Sequence, residues 1–377
     1  MKSLTTAGAL SAVAALALSA CGSSSGSSAA AVDDSGKLEQ VVISTYDTGT
    51  STYADMAAVS EAMTKIDGTR TRIITSNTAI GRLTPLKKGQ SQFARTGDEF
   101  VYAFEGDVDF ATKDWGPTPL RVVWAPQVVA SFAVKSGGAM EPADLKGKKV
   151  PNINSNPSVN DKIDAMIAAG GLTRDDVTEV KIDYTDQADA LKAGRIDVMY
   201  MSTTSPSMVE LESSMKIDWM KLDPKDPAWQ AALKEHATTV ELKPFEGAPG
   251  QKEGESDIGY WYPAPVVTMD STSDEVAGAM TKSIVEAFPK YKDATSTTEL
   301  WSDEVAGVVP KGVPFHPGTV AYLEEKKLWT PEAQKAQDSL LEREKQLDDG
   351  WKSVKDKDGA ELTTAWTTWK KDNLTAE

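Results

Sequence analysis

The sequence predicts an α/β protein of two lobes joined by two long strands. Three observations carry this prediction. Short β-branched runs alternate with helically spaced apolar residues, as Val41-Val42-Ile43 does with Ala54, Met56, Ala57, Val59 and Met63. Hydroxyl-rich loops follow the strands at their carboxyl ends, where open parallel sheets bind ligands. Two apolar stretches are long enough to cross from one lobe to the other: Leu120 to Val134, interrupted by Pro126, and Tyr260 to Met269, which contains Pro263 and Pro265.

Ahead of the first strand, Lys2 and the apolar run Ala7 to Ala20 have the form of a leader, too short and too rich in small residues to span a bilayer. Leu18-Ser19-Ala20-Cys21 resembles a bacterial lipobox, so residues 1–20 are read as a lipoprotein signal peptide and Cys21 as the lipidated residue. The alternative is an ordinary signal peptide with an incidental cysteine, the only one in the chain. The Gly/Ser/Ala-rich segment 21–36 cannot bury a core and reads as a flexible tether. Removal of the leader takes away Lys2 and moves the formal charge from −16 to −17. That balance argues against nucleic acid and anionic headgroups as partners, but not against a small anion. His236 and His316 are the only histidines, and no zinc-ligand or nucleophile motif accompanies them. No catalytic residue, metal or cofactor is expected, and the chain is read as not an enzyme.

The elements follow in order. The strand Val41–Thr45 runs into the polar turn 47–52 and a helix whose cap types are Thr50 to Thr52. Arg72–Thr75 is a second strand, with Ser76 to Arg82 as its loop and helix start. After the first crossing, Leu145–Val150 feeds a strand, the loop Asn152 to Asn160, and a helix stopped at Gly170-Gly171. Val180–Tyr184, the helix 186–193 and the strand 196–201 come next, the last ending in the loop Ser202 to Ser207. Residues 246–257 read as a loop, and Asp274–Phe288 as an amphipathic helix. The alternation predicts parallel sheets in both lobes.

Several blocks, in order, resemble one family. Leu145-Lys146-Gly147-Lys148-Lys149-Val150, Ala190-Leu191-Lys192-Ala193-Gly194-Arg195-Ile196-Asp197-Val198, Pro249-Gly250-Gln251 and Pro314-Phe315-His316-Pro317-Gly318 with Tyr322-Leu323-Glu324-Glu325 carry the likeness. Over about Val41 to Trp329 the chain resembles the TAXI solute-binding proteins of TRAP (tripartite ATP-independent periplasmic) transporters. Three loops depart from that family's glycine-rich pattern: Thr48 to Ala54, Ala79 to Leu83, and Asn154 to Ser158. The resemblance implies a periplasmic-binding-protein-like (type II) fold with a hinge of two crossing strands. Lobe I would comprise 37–127 and 256–330, lobe II 128–255, and 331–377 an added C-terminal helical extension. It also implies capture of a small solute and its delivery to an integral membrane permease driven by an ion gradient.

A two-lobed clamp needs donors on both lobes, so that closing completes contacts the open form lacks. On the first lobe the candidates are Thr48, Thr50, Ser51 and Tyr53, then Asn77, Thr78 and Arg82, whose planar fork suits a carboxylate. On the second they are Asn154, Asn156, Ser158 and Asn160, with Ser202, Thr203 and Ser205. Each also has a plainer reading as a helix cap, a turn former or a surface arginine. Phe245 and Trp261 read as core or as apolar walls, His316 as structural, and His236 as a surface residue. The expected ligand is a small carboxylate-bearing solute, anionic or zwitterionic. Two rivals stand beside this reading. One is a binding lipoprotein of an ATP-driven (ABC) importer. The other is a surface interaction lipoprotein that has lost its ligand and works through the C-terminal helices.

Overall fold

The computed structural model describes residues 32–374; the leader, Cys21 and the tether up to residue 31 lie outside the described residues. The first sheet begins with β1 (Gln40–Thr45), α1 (Ser51–Asp67), β2 (Arg70–Thr75), α2 (Ala79–Lys87), β3 (Phe93–Arg95) and α3 (Glu99–Glu105). The chain then crosses through β4 (Leu120–Trp124) and β5 (Gln127–Lys135). The far side holds β6 (Lys149–Ile153), α4 (Pro157–Ala169), β7 (Thr178–Ile182), α5 (Gln187–Lys192), β8 (Val198–Ser202) and α6 (Pro206–Ser214). It continues through β9 (Ile217–Trp219), α7 (Pro227–His236) and β10 (Glu241–Glu246). The return is made by β11 (Ser256–Pro263) and β12 (Val266–Met269), followed by α8 (Asp274–Tyr291), α9 (Pro317–Glu325), α10 (Pro331–Val354) and α11 (Gly359–Asn373).

The strand order is β2-β1-β3-β12-β4 in the first sheet and β10-β11-β5-β8 in the second, with β9 also on β5 and a separate β6-β7 pair. Among the described residues the parallel ladders are β1-β2, β1-β3 and β6-β7, with one isolated parallel bridge between Val122 and Phe315; the other ladders are antiparallel. This corrects the expectation of parallel sheets throughout. The cause lies in the two crossings: one chain segment leaves the first lobe and the other comes back, so β5-β11 and β4-β12 must pair in opposite directions.

Both crossings break at proline. Pro126 separates β4 from β5, and Ala264-Pro265 separates β11 from β12. Proline lacks the N–H that a ladder needs, so each long stretch divides into a strand for each sheet. The two breaks lie side by side, with the Ala264 N–H donating to the Pro126 carbonyl at 2.9 Å. The buried apolar residues divide at the same place. One core gathers Val128 to Ala264 with Leu300; the other gathers Leu38 to Ala125 and Val266 to Trp366.

The last two helices belong to the first lobe's core. Leu347, Val354, Leu362 and Trp366 are buried there, and Trp366 meets Trp351 edge-on at 5.2 Å. Arg343 and Lys370 both pair with Glu105, and Arg121 pairs with Glu344. His316 caps α9: its Nδ1 accepts the Gly318 N–H at 3.2 Å, and its Nε2 lies 2.9 Å from the Thr272 carbonyl. Burial pushes its pKa down, so the neutral ring that fits these bonds is favoured.

Candidate functional site

Three helices start at the mouth between the lobes, each because a strand runs out into a hydroxyl or amide cap. Thr50 caps α1 by accepting the Tyr53 N–H, Asn156 caps α4 through Val159, and Ser205 caps α6 through Met208. The first-turn amides of a helix have no partner within it and carry partial positive charge. The starts of α1 and α4 come from opposite lobes and face one another across a cavity of ≈ 30 Å³. Its walls are Tyr46, Thr50, Ser51, Thr52, Gly97, Val128, Ser158, Val159, Tyr184, Ser202, Tyr262 and Ala264. By this measure one water needs roughly 10–15 Å³, so the space is small. The lobes are drawn together around it.

Of the residues expected to bind, Thr50, Ser51, Ser158 and Ser202 line this cavity. Ser202 Oγ is buried without a hydrogen-bond partner, as is Asn156 Nδ2. Thr48 is exposed and Tyr53 half-buried on α1, and neither lines the cavity. Thr78 caps α2 through Gly81, and the next amide, Ala79, donates to the Ser155 carbonyl of the other lobe at 3.3 Å. The structure thus brings Ala79 and Ser155 together outside the cavity, whereas Ser158 and Val159 of the same segment line it. Ser155 sits at φ 48°, a left-handed conformation uncommon for a side-chain-bearing residue. Asn77 is half-buried and is not among the residues that line the cavity. Asn154 is exposed and donates to Asp183, while Asn160 clamps both backbone groups of Ile153. Thr203 donates to the Val129 carbonyl at 3.4 Å, and Ser205 serves as the α6 cap.

Arg82 is fully buried and committed within its own lobe. Its Nε donates to Glu99 at 2.6 Å, its Nη1 to the Ser76 carbonyl, and its guanidinium stacks 3.6 Å from the Tyr46 ring centre. Only Nη2 lacks a partner. Two further buried cations were not anticipated. Lys162 pairs across the lobes with Asp98, which also accepts from Thr239 at 2.8 Å and exchanges bonds with Ser158. Arg95 lies 3.9 Å from Asp55 and 4.5 Å from the Trp301 ring centre, with no hydrogen bond to its three guanidinium nitrogens. Burial pushes its pKa down to about 10 against the pull of Asp55. Asp55 is itself occupied, accepting from Thr295 and Thr297.

Asp98 and Gly97 were legible by a rule already in use, that polar turns at strand ends face ligands. Arg95-Thr96-Gly97-Asp98 is such a turn at the end of β3. A Cβ on Gly97 would stand 2.5 Å from the Tyr46 hydroxyl and 2.9 Å from Glu99 in its own lobe, and 3.1 Å from Ser158 Oγ of the other, so both the Tyr46–Glu99 packing and the approach of α4 rely on residue 97 having no side chain. Lys162 lies one turn beyond Ser158 on α4, but nothing local marks which face of that helix meets the other lobe. Of the expected walls, Phe245 is core against Trp219, and Trp261 is half-buried with its ring N–H on the Pro244 carbonyl. His236 is half-buried at the end of α7. Among the described residues no group of His, Cys, Asp or Glu is arranged to hold a metal, and no helix is long and apolar enough to cross a membrane.

Residues 43–326 match the model of the NMT1-like family, and the chain belongs to that family. It is a family of periplasmic solute-binding proteins, with the two-lobed fold seen here. No curated protein matches the chain. Similar solved structures include one from Bordetella bronchiseptica RB50, at 17% identity and a TM-score of 0.43, covering 80% of this chain and 97% of that one. An arginine-specific periplasmic binding protein of Salmonella typhimurium is 14% identical with a TM-score of 0.43, over 70% and 99% of the two chains. The aliphatic sulphonate binding protein SsuA of Escherichia coli is 12% identical with a TM-score of 0.41, over 84% and 87%. None of these likenesses carries information on the solute of this chain.

Proposed function

We propose that the chain is the lipid-anchored solute receptor of a TRAP-type transporter, taking a small carboxylate-bearing solute between its lobes. The observation that carries this is the meeting of two helix starts, α1 and α4, from opposite lobes at one cavity edged with hydroxyls. Such starts favour anions through their unpaired amides and the helix dipole. In this reading residues 37–125 and 266–374 move against 127–263 about the paired breaks at Pro126 and Ala264-Pro265, the return boundary lying after β11 and not at 256 because β11 pairs with β5 in the second sheet. Opening parts Lys162 from Asp98 and exposes Ser51, Ser158 and Ser202 to solvent. Closing on a solute carboxylate would complete the amide and hydroxyl contacts. Delivery to a permease coupled to an ion gradient, and the lipid on Cys21, rest on the sequence resemblances alone. A receptor serving an ABC importer would work by the same closure.

One observation favours a second reading, in which the chain has lost its solute. The cleft is filled by its own groups, with Tyr46, Tyr262 and the Lys162–Asp98 pair occupying the space between the lobes. A thermal-shift panel of amino acids, dicarboxylates, sugars and amines on the chain without its leader separates the two. A ligand at a hundred times its dissociation constant stabilises the fold by about 2.7 kcal/mol. A small acid that raises the melting temperature, and fails to do so in Ser51→Trp, supports the receptor reading. No shift across the panel supports the second.

A further inference from the structure

The alternation of side chains along a strand gives the joint between the lobes two faces. Val128, Tyr262 and Ala264 turn to the cleft cavity, whereas Gln127, Pro263 and Pro265 turn to a different one. That second cavity measures ≈ 230 Å³ and is lined on one side by Gly307, Val308 and Val309. Its floor is apolar and deeply buried, formed by Phe100, Val122, Ala125 and Phe315.

We propose that this cavity is a second binding site, separate from the cleft, for a small uncharged apolar molecule: a monocyclic aromatic or a short branched chain. Size comes first. A dry cavity of about 150 Å³ lined by aliphatic and aromatic groups is enough to take up benzene, and this one is larger. This cavity is partly open to solvent, so its apolar wall atoms face water that an apolar occupant would displace. Charge comes next. The one ionic group on the wall is Lys311 at the rim, and its ammonium already sits 2.7 Å from Glu241, which also takes Lys243. With that charge answered, nothing in the cavity calls for an ionic ligand, and Gln127 offers one neutral polar group. Access is the third point. The cavity is partly open to solvent beside residues 307–309, which are half-buried and belong to no helix or strand.

The test is ligand-observed saturation-transfer NMR with toluene on the chain without its leader. Gly307→Leu blocks the site, because a Cβ there starts at ordinary contact with Gln127 and Ala125, both wall residues, at 3.7 and 3.8 Å. Val308→Trp is the second blocking variant, used if the first does not fold. Toluene binding at millimolar concentration, weakened at least tenfold by a folded blocking variant and stronger than that of benzoate, is the expected result. No toluene binding to the unaltered chain, binding that survives both substitutions, or a preference for benzoate overturns the proposal. The cleft and its solute do not enter this experiment, so failure here leaves the receptor reading untouched, and the reverse also holds.

Discussion

Lys162→Met tests whether the lobes are held together by the charge pair between them. Lys162 and Asp98 are nearly inaccessible, with side-chain exposures of 1% and 6%, and they stand on opposite lobes. Removing one partner of a buried pair costs roughly 3–5 kcal/mol, because the other charge is left without compensation. Asp98 keeps Thr239 and Ser158 as donors, which places the cost toward the lower end. When the lobes part, Asp98 regains water. The penalty therefore falls on closing and not on folding. At about 1.4 kcal/mol per tenfold, the closed arrangement loses on the order of a hundredfold or more in population. Small-angle scattering reads this as a larger radius of gyration, while the melting temperature changes little. Asp98→Asn in the Lys162→Met background should recover part of the closure, since the neutral pair leaves no bare ion. An unchanged radius together with a large fall in melting temperature would refute the reasoning, because the pair would then be supporting the fold of a lobe.

The remaining predictions use the same contrast. Arg82→Met strands Glu99, which has 0% side-chain exposure, inside one lobe, so here the loss of roughly 3–5 kcal/mol should appear in chemical denaturation; an unaltered midpoint contradicts the assignment. Gly97→Ala puts a methyl group against Tyr46 and Glu99 of its own lobe as well as Ser158 of the other, so it should lower the denaturation midpoint and also open the lobes in scattering; an unchanged midpoint contradicts the intra-lobe contact. The docking of α10 and α11 should be acid-sensitive. Burial pushes the Glu105 carboxyl up, but Arg343 and Lys370 outweigh it and hold the group below its ordinary 4.5. A depressed carboxylate contributes stability above its unfolded value and loses it as pH falls through the folded one. Asp107 has the opposite sign: burial raises it, with Lys370 offsetting only part, so protonation there relieves a cost. With two cations on Glu105, its loss should dominate, and tryptophan fluorescence from Trp351, Trp366 and Trp369 should change only once pH falls below the ordinary carboxylate value of 4.5. A change already complete at pH 6 would point to another group.

Much of the scaffold was legible because its signals are local. The prolines at 126 and 265 fall where the ladders break, and the apolar runs around them are long enough for a strand on each side. Cap residues at Thr50, Thr78, Asn156 and Ser205 sit where the helices begin, since capping involves only the next three residues. The direction of strand pairing was not legible, because it depends on which crossing lies beside which. The site divides in the same way. Ser51, Ser158 and Ser202 could be named from their loops, whereas Arg82 looked like a free cation until Glu99, seventeen positions away, was found against it.

The chain by itself therefore determined the alternation of elements, the two crossing points, the helix starts and the absence of the usual catalytic motifs. Each of these is written in residues close together in sequence. Only the tertiary structure decided which charges neutralise one another and which helix starts share a cavity. Those outcomes depend on distances between residues that the chain separates by scores of positions, as Asp98 is from Lys162 and Thr239. A buried ion is stable only against a partner supplied by that packing.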